Sequence, residues 1–246
     1  MSLTVKLALS PLLVAQALAT RRRMPRLPEP SGQRQGVAGA PGATPLRLLI
    51  TGDSSAAGVG VVNQREALAV LLAGRLAQTC GARVHWRLVA HSGLTTAGTL
   101  HLLQREPAMQ ADLAVVVTGV NDVVEQVPSH HAVSAREALA NWLRNARSVQ
   151  HVAFAPLPPV HHFPGLPQPL RWVAGTDARR HNRALERWAG TRRDVSSVPM
   201  NMPLTPGVMA ADGFHPGPAV YRYSAAAIAE HVATRVWPGL TLESPA

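Results

Sequence analysis

One serine, one histidine and one aspartate stand where they could act together in nucleophilic chemistry. Ser54 directly follows Gly52-Asp53, and His215 follows Asp212 by three residues. A serine hydroxyl is a poor nucleophile unless a base removes its proton, and histidine is the usual base. Asp212 is close enough to accept a hydrogen bond from the imidazole, which would fix the tautomer and stabilise the imidazolium. The alternative interpretation of Asp212 is a turn or N-cap residue ahead of the last predicted helix.

Short apolar runs that alternate with helical patterns predict the framework around these residues. Strands are expected at residues 46–51, 84–90, 113–118 and 151–155, with a weaker one at 195–198. Helices are expected over residues 63–79, 177–189 and 218–236, and another should open at the capping box Ser134-Ala135-Arg136-Glu137. This alternation predicts an α/β fold, a three-layer α/β/α sandwich with a mostly parallel, flavodoxin-like sheet of about five strands.

The loops of this framework carry the polar residues that chemistry would need. In parallel α/β sheets, ligands gather beyond the carboxyl ends of the strands. Residues 52–60, 91–93 and 119–122 follow strands, and residues 212–216 precede the last helix. Each segment alone is compatible with ordinary turn chemistry, because Gly, Asn, Asp and Ser favour turns. Together they supply a nucleophile, a base, an orienting carboxylate and oxyanion donors, which is the set that serine hydrolysis needs.

In this order, the four segments resemble the sequence blocks of the SGNH (GDSL-like) hydrolase family. The matching positions, block by block, are Gly52, Asp53 and Ser54, then Gly93, then Gly119, Asn121 and Asp122, and finally Asp212 and His215. The resemblance covers most of residues 46–236. One departure is Ser55, where the family often has leucine, and this second hydroxyl could donate a hydrogen bond at the floor of a pocket.

The resemblance implies hydrolysis of carboxylic esters through an acyl-serine intermediate. Ser54 would be the nucleophile, His215 the base and Asp212 the residue that orients the base. The oxyanion hole would be formed by the backbone N–H groups of Ser54 and Gly93 and by the side-chain amide of Asn121. Gly93 is expected to be glycine because the chain must approach the substrate closely.

Three further matching residues are expected to support the site. Asp53, Gly119 and Asp122 would hold loops and would not take part in catalysis. No cofactor and no metal are expected. The pairs His130-His131 and His161-His162 are not interpreted as metal ligands, because adjacent residues rarely face one metal and no partner ligand stands at a supporting spacing.

A proline-rich segment is the candidate for substrate selection. Residues 157–172 hold five prolines, which stiffen the chain, and should overhang the edge of the sheet that carries Ser54. The candidate wall of an acyl pocket consists of Val160, Phe163, Leu166 and Leu170. A rigid surface connection is the alternative. Such a wall would suit a lipid-like ester or thioester, while a small O-acetyl ester on a carbohydrate is left open as the second substrate class.

The N-terminal residues differ from the rest in charge and composition. The formal net charge is +10, and residues 1–44 hold six basic residues against the single acid Glu29, which gives them +5. Residues 7–19 are mostly apolar and precede three arginines, which fits an exported leader, a helix on a membrane surface or a plain helical extension. The Pro- and Gly-rich residues 25–45 predict a linker, so that residues 1–45 precede a hydrolase domain over 46–240.

The expected partners are a small-molecule ester or lipid and, at the N-terminal segment, a membrane surface. The expected location is the cell envelope, with the protein membrane-associated or exported, and the cytoplasm is the alternative. Nucleic acid is not expected, because no recognition motif accompanies the basic residues. The Gly-rich residues 52–60 lack the Gly-Lys-[Ser/Thr] ending of a P-loop. A catalytically idle binding module at a membrane is the remaining rival interpretation.

Overall fold

A computed structural model describes residues 3–201 and 206–242, with a twisted sheet at the centre. Its strands are β1 (Gln35–Ala38), β2 (Pro45–Gly52), β3 (Arg83–Ala90), β4 (Leu113–Val117), β5 (His151–Phe154) and β6 (Val195–Ser197). Across the sheet their order is β1-β3-β2-β4-β5-β6, and all neighbours are parallel except β1, which is antiparallel to β3. The predicted, mostly parallel sheet is confirmed with one strand more than expected.

Helices cover both faces of this sheet. They are α1 (Leu3–Arg23), α2 (Ser54–Ala57), α3 (Leu68–Cys80), α4 (Thr96–Arg105), α5 (Val120–Val124), α6 (Ser129–Arg147), α7 (Leu170–Ala189) and α8 (Pro218–His231). The central strand β2 serves two cores, since Leu48 and Ile50 pack towards α3 and α8, whereas Leu49 packs towards α4, α6 and α7. Alternate side chains of a strand point to opposite faces, so one apolar strand holds both helical layers. The predicted three-layer sandwich is thereby confirmed.

Strand β1 lies in the segment that was expected to be a linker. Gln35–Ala38 pairs with β3, and the N–H of Leu88 donates a hydrogen bond of 2.7 Å to the carbonyl of Arg34. Gly36 lies against Trp86, where a Cβ would be 3.0 Å from the indole nitrogen. Gly36 makes room for the buried side chain of Trp86. The glycine-rich composition of residues 25–45 cannot distinguish this packing role from that of a flexible linker. Residues 35–38 therefore belong to the sheet and not to a linker.

Two helices begin earlier than their sequence signals indicate. Helix α6 begins at Ser129 and not at the capping box, and the hydroxyl of Ser134 bonds the carbonyl of His130 inside the helix. Helix α7 begins at Leu170, well before residue 177. Each start directly follows a proline, Pro128 or Pro169, whose fixed φ is compatible with entry into a helix.

Helix α1, Leu3–Arg23, is 21 residues long. Among the helices of residues 3–201 and 206–242, none is long and apolar enough to cross a membrane.

Candidate active site

Ser54 lies where the central strand β2 turns into the short helix α2. The turn requires Gly52, which has a φ of +145° and where a Cβ would be 1.8 Å from the carbonyl oxygen of Val117. Asp53 caps α2, because its Oδ1 accepts a hydrogen bond of 2.9 Å from the N–H of Ser55. The turn thus fixes Ser54 as the first residue of α2, almost buried at the carboxyl edge of the sheet.

His215 lies beside Ser54 and connects it to Asp212. The Nε2 atom of His215 is 3.0 Å from Oγ of Ser54, and its Nδ1 atom is 2.5 Å from Oδ2 of Asp212. An ionised carboxylate can only accept hydrogen bonds, so Nδ1 carries a proton and Nε2 accepts the hydroxyl hydrogen of Ser54. In this arrangement a proton can pass from Ser54 to His215 while Asp212 stabilises the positive charge.

Asp212 is held in place by the turn that contains it. Its Oδ1 accepts hydrogen bonds of 2.9 Å from the backbone N–H groups of both Phe214 and His215. Burial raises the pKa of Asp212, but the hydrogen bonds from the His215 ring and from these two N–H groups outweigh burial, and the net pKa lies below its ordinary value. The carboxylate therefore stays ionised at neutral pH and fixes the orientation of the imidazole.

The two loops that were expected to supply oxyanion donors are bonded to each other. Nδ2 of Asn121 donates a hydrogen bond of 2.9 Å to the carbonyl of Leu94, and Asn121 also lines the cleft above Ser54. An amide carries two N–H groups, so one can hold the loop while the other faces the cleft. Gly93 has a φ of +86°, and a Cβ there would meet no atom within 4 Å. The glycine is thus required by its left-handed backbone, and not by close packing.

The loop of Gly93 is anchored by residues of the segment that was expected to be a linker. Oε1 of Glu29 accepts hydrogen bonds from the N–H and the hydroxyl of Ser92, at 2.8 and 2.9 Å. Arg34 bonds Oε2 of Glu29 at 2.9 Å and also donates to the carbonyl of Ala90. Burial raises the pKa of Glu29, but these hydrogen bonds outweigh it and lower the net pKa. Sequence reasoning missed this anchor, whose only signal was a single acid in a basic segment.

The loop of Asn121 is supported by a buried ionic network. Asp122 accepts hydrogen bonds from the N–H and the hydroxyl of Thr96, at 2.9 and 2.6 Å. Arg136 of helix α6 is 1% exposed and places Nη2 at 3.8 Å from Oδ2 of Asp122. Gly119 fits against the same guanidinium, since a Cβ there would be 2.7 Å from Nη2. Two predicted supporting residues, Gly119 and Asp122, therefore contact an arginine that the sequence did not single out.

The third predicted supporting residue, Asp53, is buried beside the hydrogen-bonded chain. Burial raises the pKa of Asp53 to about 7, helped by the charge of Asp122, and the N–H of Ser55 and the charge of His215 only partly oppose this rise. The charge state of Asp53 consequently changes near neutral pH, unlike that of Asp212.

A narrow cleft of about 30 Å³ lies over Ser54 and His215. Its apolar lining consists of Val120, Pro158, Phe163, Met209, Phe214, Pro216 and Val220. The rings of Phe163 and Phe214 meet edge to face, with centroids 5.3 Å apart. Two aromatic side chains in mutual contact therefore form part of the wall of the cleft.

Only one of the four candidate acyl-wall residues lines this cleft, as far as the described residues show. Phe163 does so and also belongs, with Val160 and Leu166, to a small buried core, against which Leu170 packs. The backbone makes a 3-10 turn over Val160–His162, which directs the chain inwards and uses Val160 for packing. The acyl wall stays a prediction, with Phe163 as the one of its four residues that lines the cleft in the described part of the chain.

No group of three or more His, Cys, Asp and Glu side chains is arranged to hold a metal ion within residues 3–201 and 206–242. The rings of His130 and His131, and those of His161 and His162, contact each other with centroids 4.2 Å apart.

Known proteins with similar sequences or structures share this architecture. A GDSL-like esterase of Mycobacterium tuberculosis is 28% identical over 190 residues, which cover 73% of this chain and 59% of that protein, so this chain matches less than two thirds of its relative's length. A lipase from a goat rumen metagenome is 18% identical, with a TM-score of 0.62 over 77% of this chain and 98% of the other. A carbohydrate acetylesterase from Sinorhizobium meliloti is 16% identical, with a TM-score of 0.58 over 76% and 98% of the two chains.

These two solved structures establish the fold, and the sequence establishes the family. Residues 50–223 match the GDSL-like lipase/acylhydrolase family, and this range contains Ser54, Asp212 and His215. The chain therefore belongs to the GDSL-like lipase/acylhydrolase family, as its four sequence blocks indicate.

Proposed function

We propose that this protein hydrolyses carboxylic esters with Ser54 as nucleophile, His215 as base and Asp212 as the orienting carboxylate. The observation that carries the proposal is the bridging position of His215, whose Nε2 is 3.0 Å from Oγ of Ser54 while Nδ1 contacts Asp212. This arrangement supports the proposal over a catalytically idle binding module, because it is the one that proton transfer from a serine to a histidine requires.

In the proposed reaction, Oγ of Ser54 attacks the ester carbonyl carbon while Nε2 of His215 takes the hydroxyl proton. The tetrahedral intermediate then loses its alcohol, which leaves with the proton from His215, and an acyl-serine remains. Water attacks this acyl group with His215 again as base, which releases the acid and restores Ser54. The negative oxygen would accept hydrogen bonds from the N–H groups of Ser54 and Gly93 and from Nδ2 of Asn121.

We further propose that the acyl group is short. The fold does not select the acyl group, since a lipase and a carbohydrate acetylesterase share it. What supports a short acyl group is the narrow cleft, which Phe163, Phe214 and Val220 line. An acetyl group needs little room there, whereas a long lipid chain would require Phe163 or Phe214 to move. The preferred substrates are thus acetyl or similarly short esters, with lipid esters as the second class.

The test is hydrolysis of p-nitrophenyl acetate, butyrate, octanoate and palmitate by the wild type and by Ser54→Ala. We expect turnover to be highest with acetate, and Ser54→Ala to lower kcat by about 10⁴- to 10⁶-fold. Ser55→Ala is the matched control, since Ser55 lines the same cleft but its side chain forms no bond with His215. A fluorophosphonate should label the wild type and Ser55→Ala, but not Ser54→Ala.

Absence of both turnover and labelling in the folded wild type would refute the hydrolase proposal and favour a binding role. Highest activity on octanoate or palmitate would keep the hydrolase proposal and refute the short acyl group.

A further inference from the structure

Helix α1 is fastened to the catalytic domain along one side. Nε2 of Gln16 donates a hydrogen bond of 2.6 Å to the carbonyl of Gln168, and Oε1 of Gln16 accepts one of 3.1 Å from the N–H of Leu170. Both partners lie at the start of α7, in the segment that follows the cleft-lining Phe163. The helix is therefore attached to the catalytic domain at the start of α7, a few residues after Phe163.

Exposed apolar side chains lie on the solvent side of α1. Val14 and Leu18, one turn apart, are 58% and 52% exposed, and Leu12 on a flank of the helix is 47% exposed. Trp172, in the first turn of α7 and close to the Gln16 contacts, is 45% exposed. Surface helices normally place polar side chains outwards, and contiguous exposed apolar residues mark a surface that binds something apolar.

A cluster of arginines continues this apolar surface. Arg21, Arg22 and Arg23 end α1, Arg26 follows, and all four are exposed. Leu18 and Met24 line one shallow hollow together with three of these arginines. Within the described part of the chain, none of the four arginines forms an ion pair with a carboxylate. The cluster therefore offers positive charge to an external anion beside an apolar face.

From this combination we propose that α1 and its arginines bind the surface of an anionic phospholipid bilayer, with the helix lying in the plane of the interface. Val14 and Leu18 enter the boundary between headgroups and acyl chains, Leu12 lies at the edge of the contact, and the guanidinium groups bind lipid phosphates. Nucleic acid would bind the arginines through its phosphates but would leave the side chains of Leu12, Val14 and Leu18 exposed to water. Because Gln16 joins α1 to the start of α7, binding of the helix attaches the catalytic domain to the bilayer at that point.

The test is co-sedimentation of the full chain with vesicles of phosphatidylcholine alone and of equal parts phosphatidylcholine and phosphatidylglycerol. We expect binding to the anionic vesicles only, weakened by salt. The triple variant Arg21→Gln/Arg22→Gln/Arg23→Gln should bind roughly 100-fold more weakly, since each cation near an anionic surface contributes several-fold. Leu12→Gln/Val14→Gln/Leu18→Gln should bind roughly tenfold more weakly or worse.

The matched control is Arg65→Gln/Arg75→Gln/Arg105→Gln, which removes the same charge from three exposed arginines of the globular domain. It should bind anionic vesicles like the wild type. Equal binding to both vesicle types would overturn the proposal. So would a loss of binding in the control as large as that in the Arg21/Arg22/Arg23 variant, or full binding by the Leu12/Val14/Leu18 variant. Tighter binding to duplex RNA or DNA than to anionic vesicles would assign the arginines to nucleic acid instead.

Hydrolysis of p-nitrophenyl acetate without vesicles should be the same in the wild type and all three variants. This readout also shows that the variants are folded. A protein that binds vesicles but hydrolyses no ester would refute the proposed function alone, and the reverse result would refute membrane docking alone.

Discussion

Arg136 and Asp122 form a buried ion pair behind the loop that carries Asn121, with Nη2 and Oδ2 3.8 Å apart. Thr96 already supplies two hydrogen bonds to the carboxylate of Asp122. The two Nη atoms of Arg136 have no hydrogen-bond partner among the described residues. A buried charge without its counter-charge is strongly unfavourable, so each member of this pair depends on the other.

We predict that Arg136→Met lowers the free energy of unfolding by about 3 kcal/mol, because it leaves Asp122 buried without a positive partner. It should also lower kcat more than it changes KM, since the loosened loop carries Asn121, which is proposed to act on the transition state. Arg136→Lys should restore part of kcat. Urea denaturation and steady-state kinetics measure both effects.

Arg144→Met is the matched control on the same helix, because Arg144 pairs with Asp194 at the surface, where such pairs contribute about 0–1 kcal/mol. If Arg136→Met is as harmless as Arg144→Met in both measurements, Arg136 has no role in positioning the loop.

The central strands and the proton path could be predicted from sequence because their signals are local. A buried parallel strand is a continuous apolar run, and residues 113–118 became Leu113–Val117. Gly52-Asp53-Ser54 and the Asp212-to-His215 spacing are each contained in one turn. The order of the four blocks then placed these turns at one edge of the sheet.

The residues that sequence reasoning missed act through packing between distant segments. Glu29 bonds a residue 63 positions away, and nothing in its neighbourhood points to Ser92. Arg136 stood inside a capping-box pattern, and nothing in that pattern indicates that its side chain is buried. Its burial follows from helix α6 beginning five residues earlier and packing beside α4 and α7.

Asp53→Asn should change the pH dependence of stability. The pKa of Asp53 is 3.8 without the fold and about 7 in it. Between these pH values the folded protein holds a proton that the unfolded chain releases, so this group makes the free energy of unfolding fall as pH rises from about 4 to 7. The effect is on the order of 4 kcal/mol at most.

Asparagine does not titrate, yet its carbonyl can still accept the N–H of Ser55, as Oδ1 of Asp53 does. Relative to the wild type, Asp53→Asn should therefore gain stability steadily across this pH range. Urea denaturation at several pH values measures the difference, and a constant difference from pH 4 to 8 would show that Asp53 does not titrate there.

Asp212→Asn is predicted to lower kcat by about 10⁴-fold with little change in KM. The asparagine oxygen can still bond the N–H groups of Phe214 and His215, so the turn persists. What is lost is the negative charge that fixes the proton on Nδ1 and stabilises the imidazolium. Asp194→Asn, which removes a partly buried carboxylate paired with Arg192, is the control and should keep wild-type kcat. A loss of less than tenfold in Asp212→Asn would remove Asp212 from the proposed mechanism.

Phe163→Ala is predicted to shift the preferred acyl chain towards longer esters. Phe163 lines the cleft and contacts the ring of Phe214 there, so its removal opens space for additional methylene groups. The ratio of kcat/KM for octanoate to that for acetate should rise by roughly tenfold or more. Val160→Ala is the control, because Val160 packs in the core beneath the cleft and does not line it. It should lower stability by about 2 kcal/mol and leave the ratio unchanged. If both variants shift the ratio equally, Val160 belongs to the acyl wall after all, and if neither does, Phe163 does not limit the chain length.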